Sequence, residues 1–224
     1  MNEKVYSTVK KASMADYAVY KARLRIYGAL SGKIPLQNIS NVLDVGVTAD
    51  EENISSNFFE NLYPHPDRIT ALSDQDASWM ENKFNGLKFV KGDALNMPFE
   101  NNSFDLVFSS AVIEHVGNIA HQTDFVKECY RVSKKYVFIT TPNRFYPIEL
   151  HTALPFIHWL PKHIHRAILR RLGHDYLSRE ENLNLMTKGE IKKICAQNIG
   201  GKYEIMTVNF LGLPSNILLL LVKP

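Results

Sequence analysis

Apolar residues recur along this chain with two periods, and the two alternate. Short runs rich in valine, leucine, isoleucine and phenylalanine, at 42–47, 68–72, 87–91, 104–110 and 136–140, have the length and β-branched content of strands. Between them lie segments with helical spacing: Phe125, Cys129 and Val132, at i, i+4 and i+7, share one helix face. A further helix is expected from about Ser55 to Leu62, and a short one starts near Asp76. Strands that alternate with helices pair in parallel, since a helical crossover returns the chain to the same end of the sheet. The last two runs, 203–210 and 216–223, break the alternation. Only Leu211-Gly212-Leu213-Pro214-Ser215 joins them, so they are expected to form an antiparallel hairpin.

Residues 1–38 read as an amino-terminal helical extension. Tyr17, Tyr20, Leu24 and Tyr27 recur at helical spacing, and Gly32 with Pro35 ends the pattern. These tyrosines either cover the edge of the core or close over a ligand as a lid. Residues 39–224 form the main domain. Within it, 144–186 is too long for a plain connection and is rich in aromatic, histidine, proline and basic residues, which predicts an inserted helical cap. Two capping-box spacings follow, Ser178 with Glu181 and Thr187 with Glu190; the second opens a helix to about Asn198.

Composition narrows this only modestly. At 224 residues and 45% hydrophobic content the chain can bury one α/β core. The 26 basic and 23 acidic residues are too evenly matched to mark a nucleic-acid binder by charge alone. Cys129 and Cys195 lack any CxxC or Cys/His spacing and are expected as reduced core residues of a cytoplasmic protein. Met1 to Lys11 has no apolar run of the secretory kind, and no window reaches the roughly 18 apolar residues of a membrane span.

Ligands of a parallel sheet bind beyond the carboxyl ends of its strands. Here the first strand ends in a loop with one glycine, Gly46, followed by Asp50, Glu51 and Glu52, and the second and third end near Asp74, Asp76 and Asp93. An acidic rim disfavours a pyrophosphate and suits a ligand with positive charge and ribose hydroxyls. Val42-Leu43-Asp44-Val45-Gly46, Gly92-Asp93-Ala94 with Met97-Pro98-Phe99, Ser103-Phe104-Asp105-Leu106-Val107 and Ile113-Glu114-His115-Val116 together resemble the class I S-adenosylmethionine-dependent methyltransferases of the type 11 group, over roughly 42–141. The resemblance implies a Rossmann-like three-layer α/β sandwich, with a mostly parallel seven-stranded sheet and an antiparallel last strand.

It also implies S-adenosylmethionine as cofactor and assigns residues to it. Asp44 and Gly46 would line the methionine end with Thr48 beside them; the end of the second strand would meet the ribose, with Ser73 at the usual acidic position and Asp74 or Asp76 as the substituting carboxylate; Asp93 and Ala94 would meet the adenine edge; Ser109 and Ser110 would lie beneath the sulfonium. Relatives carry further glycines in the first loop where this chain has Val47, Thr48 and Asp50, so the loop must take another path or accept positive φ at non-glycine residues. Methyl transfer needs alignment and, for a hydroxyl acceptor, a base; His115, Glu149 and His151 are the candidates. The cap histidines His151, His158, His163, His165 and His174 show no metal-ligand spacing, so no metal is expected from them. The aromatic and basic residues between Leu154 and Leu172 suit either core packing or a peripheral membrane contact. The expected activity is transfer of methyl to a small-molecule, glycan or lipid-linked acceptor at oxygen, the other reading being an inactive binding protein on the same fold. Thr141-Pro142-Asn143-Arg144 lacks the Asn/Asp-Pro-Pro-aromatic sequence of amino-methylating relatives, and a nucleic-acid partner is not expected.

Overall fold

The computed structural model describes residues 14–51 and 56–224, with side chains of the first helix from residue 19 onward. Ser55 and the side chain of Tyr17 lie outside the described residues. Along the chain come α1 (Met14–Lys33), β1 (Val42–Val45), α2 (Phe58–Leu62), β2 (Ile69–Ser73), α3 (Met80–Lys83), β3 (Lys88–Lys91), β4 (Phe104–Ser110) and α4 (Ile119–Val132). They are followed by β5 (Ser133–Pro142), α5 (Lys162–Arg171), α6 (Lys188–Asn198), β6 (Lys202–Phe210) and β7 (Leu213–Val222).

The strands form one seven-stranded sheet in the order β3-β2-β1-β4-β5-β7-β6. Strands β1 to β5 pair in parallel, and β7 is antiparallel to both of its neighbours. The two-residue turn between β6 and β7 is Leu211-Gly212, both at positive φ, the conformation that matches the twist of a hairpin. The alternation of periods gives the parallel strands, and the whole is the Rossmann-like sandwich that the family resemblance implies. The edge strand β3 carries exposed Lys88 and Lys91, charges that discourage further pairing.

Each sheet face is covered by its own apolar layer. On one, Ile26, Leu30 and Ile34 of and after α1 join Phe58, Phe59, Met80, Phe108 and Phe138. On the other, Phe125, Cys129 and Val132 of α4 meet Ile191, Ile194 and Cys195 of α6 over Leu43, Val107 and Leu219. Burying each large side chain stabilises the fold by roughly 1.5–3 kcal/mol, so α1 is held mainly through its isoleucine and leucine face. Tyr20 and Tyr27 are only partly buried, and Tyr27 packs beside Phe59 with ring centroids 6.3 Å apart.

Residues 144–186 leave the sheet and return to it at one place, where Asn143 bridges Met186 and Arg144 N–H donates to the Met186 carbonyl. The segment holds a short 3-10 turn, Ile157–Trp159, then α5 and a small apolar cluster of Leu169, Leu177, Leu183 and Leu185. The capping box at Thr187 and Glu190 forms in full and opens α6. The one expected at Ser178 does not: its hydroxyl donates back to the Asp175 carbonyl, and no helix follows. Matching spacing does not suffice when the hydroxyl has a nearer backbone acceptor.

Candidate functional site

The crevice lies beyond the carboxyl ends of β1, β2 and β4. At its floor Gly46 takes φ +88, and a Cβ there would overlap Cγ2 of Val112 while lying 3.0 Å from Cγ1 and 3.2 Å from Cβ of the same side chain. Glycine is therefore demanded both by conformation and by space. At the positions where relatives carry further glycines the expected strain is absent, because Val47, Thr48 and Asp50 all keep negative φ. Among the described non-glycine residues of this loop the left-handed conformation falls on Asn57, at φ +49, a residue type that tolerates it. The Asn57 side chain then accepts from Thr48 N–H at 3.0 Å and donates to the Thr48 carbonyl at 2.9 Å, clamping the loop by both backbone groups.

Above this loop is a charged group that only the fold assembles. Asp44 and Glu60 are both buried and face each other; burial and this mutual repulsion push the Asp44 carboxyl well above the usual carboxylate range, and burial raises Glu60 as well. Neither Glu60 oxygen finds a hydrogen bond of good geometry, so what couples the pair is charge. Arg23 of α1 reaches in from the other side. Its guanidinium donates to the Ser110 hydroxyl, lies 5.1 Å from the Phe58 ring centroid, and is attracted by Glu114 and Asp44 while burial pulls its pKa down. Arg23, Phe58 and Glu60 escaped the sequence reading. The only signal was that Arg23 occupies the helical face of Ile26 and Leu30.

The other residues assigned to the cofactor are distributed as follows. Ser73 is buried at the end of β2 and its hydroxyl accepts from Gln75 N–H, while Asp74 beside it is exposed. Asp93 is exposed and accepts from Leu95 N–H at 2.8 Å, with Ala94 partly buried next to it. Ser110 stands on the rim, 2.8 Å from the Thr140 hydroxyl. Ser109 does not line the crevice through its side chain: it is fully buried and its hydroxyl donates to the Val45 carbonyl, tying β4 to β1, so only its backbone is available to a ligand.

After β4 the chain turns sharply at Ala111, at φ +59, and delivers Glu114 and His115 on a 3-10 turn, Ile113–His115. Gln122 and Asn184 fasten that turn by donating to the carbonyls of Ile113 and Gly117 respectively. From the cap, 36 residues further on, His151 comes to meet it: the two Nε2 atoms are 3.0 Å apart and the ring planes cross at 85°. Glu149 anchors His151. One of its oxygens accepts from the His151 N–H at 2.8 Å and lies 2.5 Å from Nδ1, and the other accepts from the N–H and hydroxyl of Thr152 at 2.8 and 2.7 Å. Burial alone would raise the Glu149 pKa, but the charge of His151 and these hydrogen bonds hold it near 2. Burial opposes the charge on His151 too, and Glu149 overcomes it, so His151 stays raised. His115 is held at about 3 by burial and by His151, and its Nδ1 lies 2.6 Å from the Asn182 carbonyl. Glu114 accepts from the Thr141 hydroxyl through one oxygen, leaving Oε1 buried without a hydrogen-bond partner.

The three catalytic candidates thus converge, and Glu114 joins them. Among the described residues the carboxylate of Glu114 and the imidazoles of His115 and His151 present donor atoms all within 4.8 Å of one another, a combination hidden from the cap-histidine spacing. The remaining cap histidines go elsewhere. His158 and His165 meet edge to face, their ring centroids 6.4 Å apart, in a shallow cleft also lined by Arg144, Lys162 and Arg166, and burial lowers both, His165 to about 4. No helix among the described residues is long and apolar enough to cross a membrane.

A family model described as a methyltransferase domain matches residues 59–139. Solved structures share the whole architecture at low sequence identity. A protein from Pyrococcus horikoshii OT3 is similar at 15% identity and a TM-score of 0.59, covering 99% of this chain and 96% of its own. An S-adenosylmethionine-dependent methyltransferase from Thermotoga maritima, described as a possible histamine N-methyltransferase, is similar at 15% identity and a TM-score of 0.58, covering 94% and 92%. Magnesium protoporphyrin IX methyltransferase from Synechocystis, solved with bound S-adenosylhomocysteine, is similar at 12% identity and a TM-score of 0.57, covering 98% and 91%. The family match falls on the crevice strands β2 and β4 and on most of β5, and the chain shares the fold of the class I S-adenosylmethionine-dependent methyltransferases, which it resembles over this region.

Proposed function

We propose that this methyltransferase acts on an oxygen of a small-molecule, glycan or lipid-linked acceptor seated against Glu114, His115, His151 and Glu149. The observation that carries the reading is the pair of imidazoles whose Nδ1 positions are taken by Glu149 and the Asn182 carbonyl, which turns both Nε2 atoms into one spot beside the methionine end of the crevice. When bound, S-adenosylmethionine supplies a methyl group activated by its sulfonium. The chain supplies alignment and charge. Gly46 admits the backbone close to the ligand, and Asp44 and Glu60 offer negative charge to its ammonium group. Arg23 stands where a carboxylate would be met, and Asp74 and Asp93 serve the ribose and adenine edges. A hydroxyl acceptor is poorly nucleophilic until it loses its proton, and a proton-accepting group beside the methyl position is what that requires. An amine acceptor that is already neutral needs no such group.

The lipid-linked option draws support from the cap surface. Phe145, Phe156, Trp159, Ile164 and Leu172 are exposed there, Arg170 and Arg171 close α5, and such a mixture suits an anionic bilayer surface. Flotation with vesicles of anionic against zwitterionic lipid tests the contact; equal recovery in both would remove it. Calorimetry with S-adenosylmethionine and S-adenosylhomocysteine tests the cofactor assignments, and silence at millimolar ligand would leave the binding-protein reading. Transfer of labelled methyl into fractionated small-molecule, glycan and lipid pools then identifies the acceptor. Label recovered on nitrogen would overturn the oxygen assignment.

A further inference from the structure

We propose that Glu114, His115 and His151 bind one divalent first-row transition cation, and that this cation is what activates the acceptor oxygen. The inference deepens the methyl-transfer reading and rests on it for the role, though not for the site itself. Three features point the same way.

First, the spacing fits. The Nε2 atoms of His115 and His151 are 3.0 Å apart. Two imidazoles at right angles on a six-coordinate ion, each about 2.1 Å from it, have their nitrogens about 3.0 Å apart, and about 3.4 Å apart on a tetrahedral one. Second, each ring is oriented through its other nitrogen, His115 by the Asn182 carbonyl and His151 by the Glu149 carboxylate, as metal-bound imidazoles usually are. Glu149 is itself saturated by Thr152, so its task is to orient the ring. Third, Glu114 Oε1 has no hydrogen-bond partner, its side chain is 0% exposed, and it lies 4.0 Å from His115 Nε2. A buried carboxylate oxygen without a donor is costly, and a cation between it and the two nitrogens supplies the missing partner.

Two imidazoles and one carboxylate favour manganese, iron, cobalt or zinc over magnesium and calcium, which prefer all-oxygen shells. Three protein ligands also leave positions open. An acceptor hydroxyl taking one of them gives its proton to water; its oxygen electron pair forms the new bond to the methyl carbon, and the carbon–sulfur bonding pair returns to sulfur. Arg23 remains anchored on Ser110, on the cofactor side of the cluster.

The test uses the full chain, stripped with chelator and dialysed against cobalt(II), manganese(II) or zinc(II) with neither cofactor nor acceptor present. One equivalent of metal per chain and a cobalt spectrum with d–d bands shifted from those of the aqua ion are expected. His151→Gln and Glu114→Gln should each weaken binding at least about tenfold, and Glu149→Gln, which touches no ion, about 10–100-fold. S-adenosylhomocysteine calorimetry and circular dichroism on each variant separate loss of the site from loss of the fold. Metal lost while cofactor binding persists supports the proposal. Substoichiometric metal on the wild type, or equal metal on wild type and both ligand variants, overturns it. If a variant does not fold, the wild-type cobalt spectrum decides: unshifted aqua-ion bands overturn the site. Metal binding without any S-adenosylhomocysteine binding would instead sink the methyl-transfer reading and leave the cation site standing.

Discussion

The sharpest quantitative consequence concerns Gly46→Ala. Two separate penalties are expected. Alanine at φ +88 sits in the region that L residues avoid, at a cost of order 1 kcal/mol. Its methyl would also overlap Val112 Cγ2, and rotating the valine does not clear the space, because Cγ1 and Cβ of that residue are already 3.0 and 3.2 Å away. Overpacking of this kind costs typically about 1–3 kcal/mol. Together the variant should lose roughly 2–4 kcal/mol in urea unfolding. A double-mutant cycle separates the penalties. In the background of Val112→Ala the overlap with the two Cγ atoms disappears, while the 3.2 Å contact with Cβ and the conformational penalty stay, so the substitution at Gly46 should then cost clearly less than in the parent, with the difference appearing as coupling between the two sites. A loss below about 1 kcal/mol in the parent background, or the same loss in both backgrounds, would refute the close approach of β1 loop and Val112.

Three other outcomes follow from the same geometry. Asn57→Ala removes both hydrogen bonds to Thr48 and places alanine at φ +49, and should lower stability by about 1–3 kcal/mol in denaturant unfolding while weakening S-adenosylhomocysteine in calorimetry. Because Asp44 and Glu60 hold protons more tightly folded than unfolded, their contribution is fully present below the ordinary carboxylate pKa of about 4 and is lost as pH rises through the raised values. Glu60→Gln should therefore flatten the fall in thermal midpoint above that pH; parallel curves for the two proteins would remove the carboxyl pair from the account. Thr187→Ala breaks the capping box of α6, and a loss of about 1 kcal/mol is expected by thermal or urea denaturation, with Ser178→Ala, where no helix begins, costing less.

Strand and helix identity was written locally. The run from Val42 to Val45, the spacing of Phe125, Cys129 and Val132, the box at Thr187 and Glu190, and the short link between the last two strands each state their element, because side-chain period and capping depend on neighbours a few residues away. The family pattern then supplied the topology and pointed to Asp44, Gly46, Asp93 and the turn at Glu114 and His115. What sequence could not supply was anything requiring two distant segments to meet. Arg23 enters the crevice only because Ile26 and Leu30 fix the rotation of α1 on the sheet, and Glu60 faces Asp44 only because Phe58 and Phe59 bury α2. The missing glycines of the first loop looked like strain because the loop was read alone; among its described non-glycine residues the unusual conformation falls on Asn57, nine residues from Thr48. His151 likewise reads as a cap residue until packing carries it across 36 positions to His115 and the unsatisfied oxygen of Glu114. Local period determines which elements form, whereas burial and polar satisfaction among remote side chains determine the site, and only tertiary structure brings those side chains into contact.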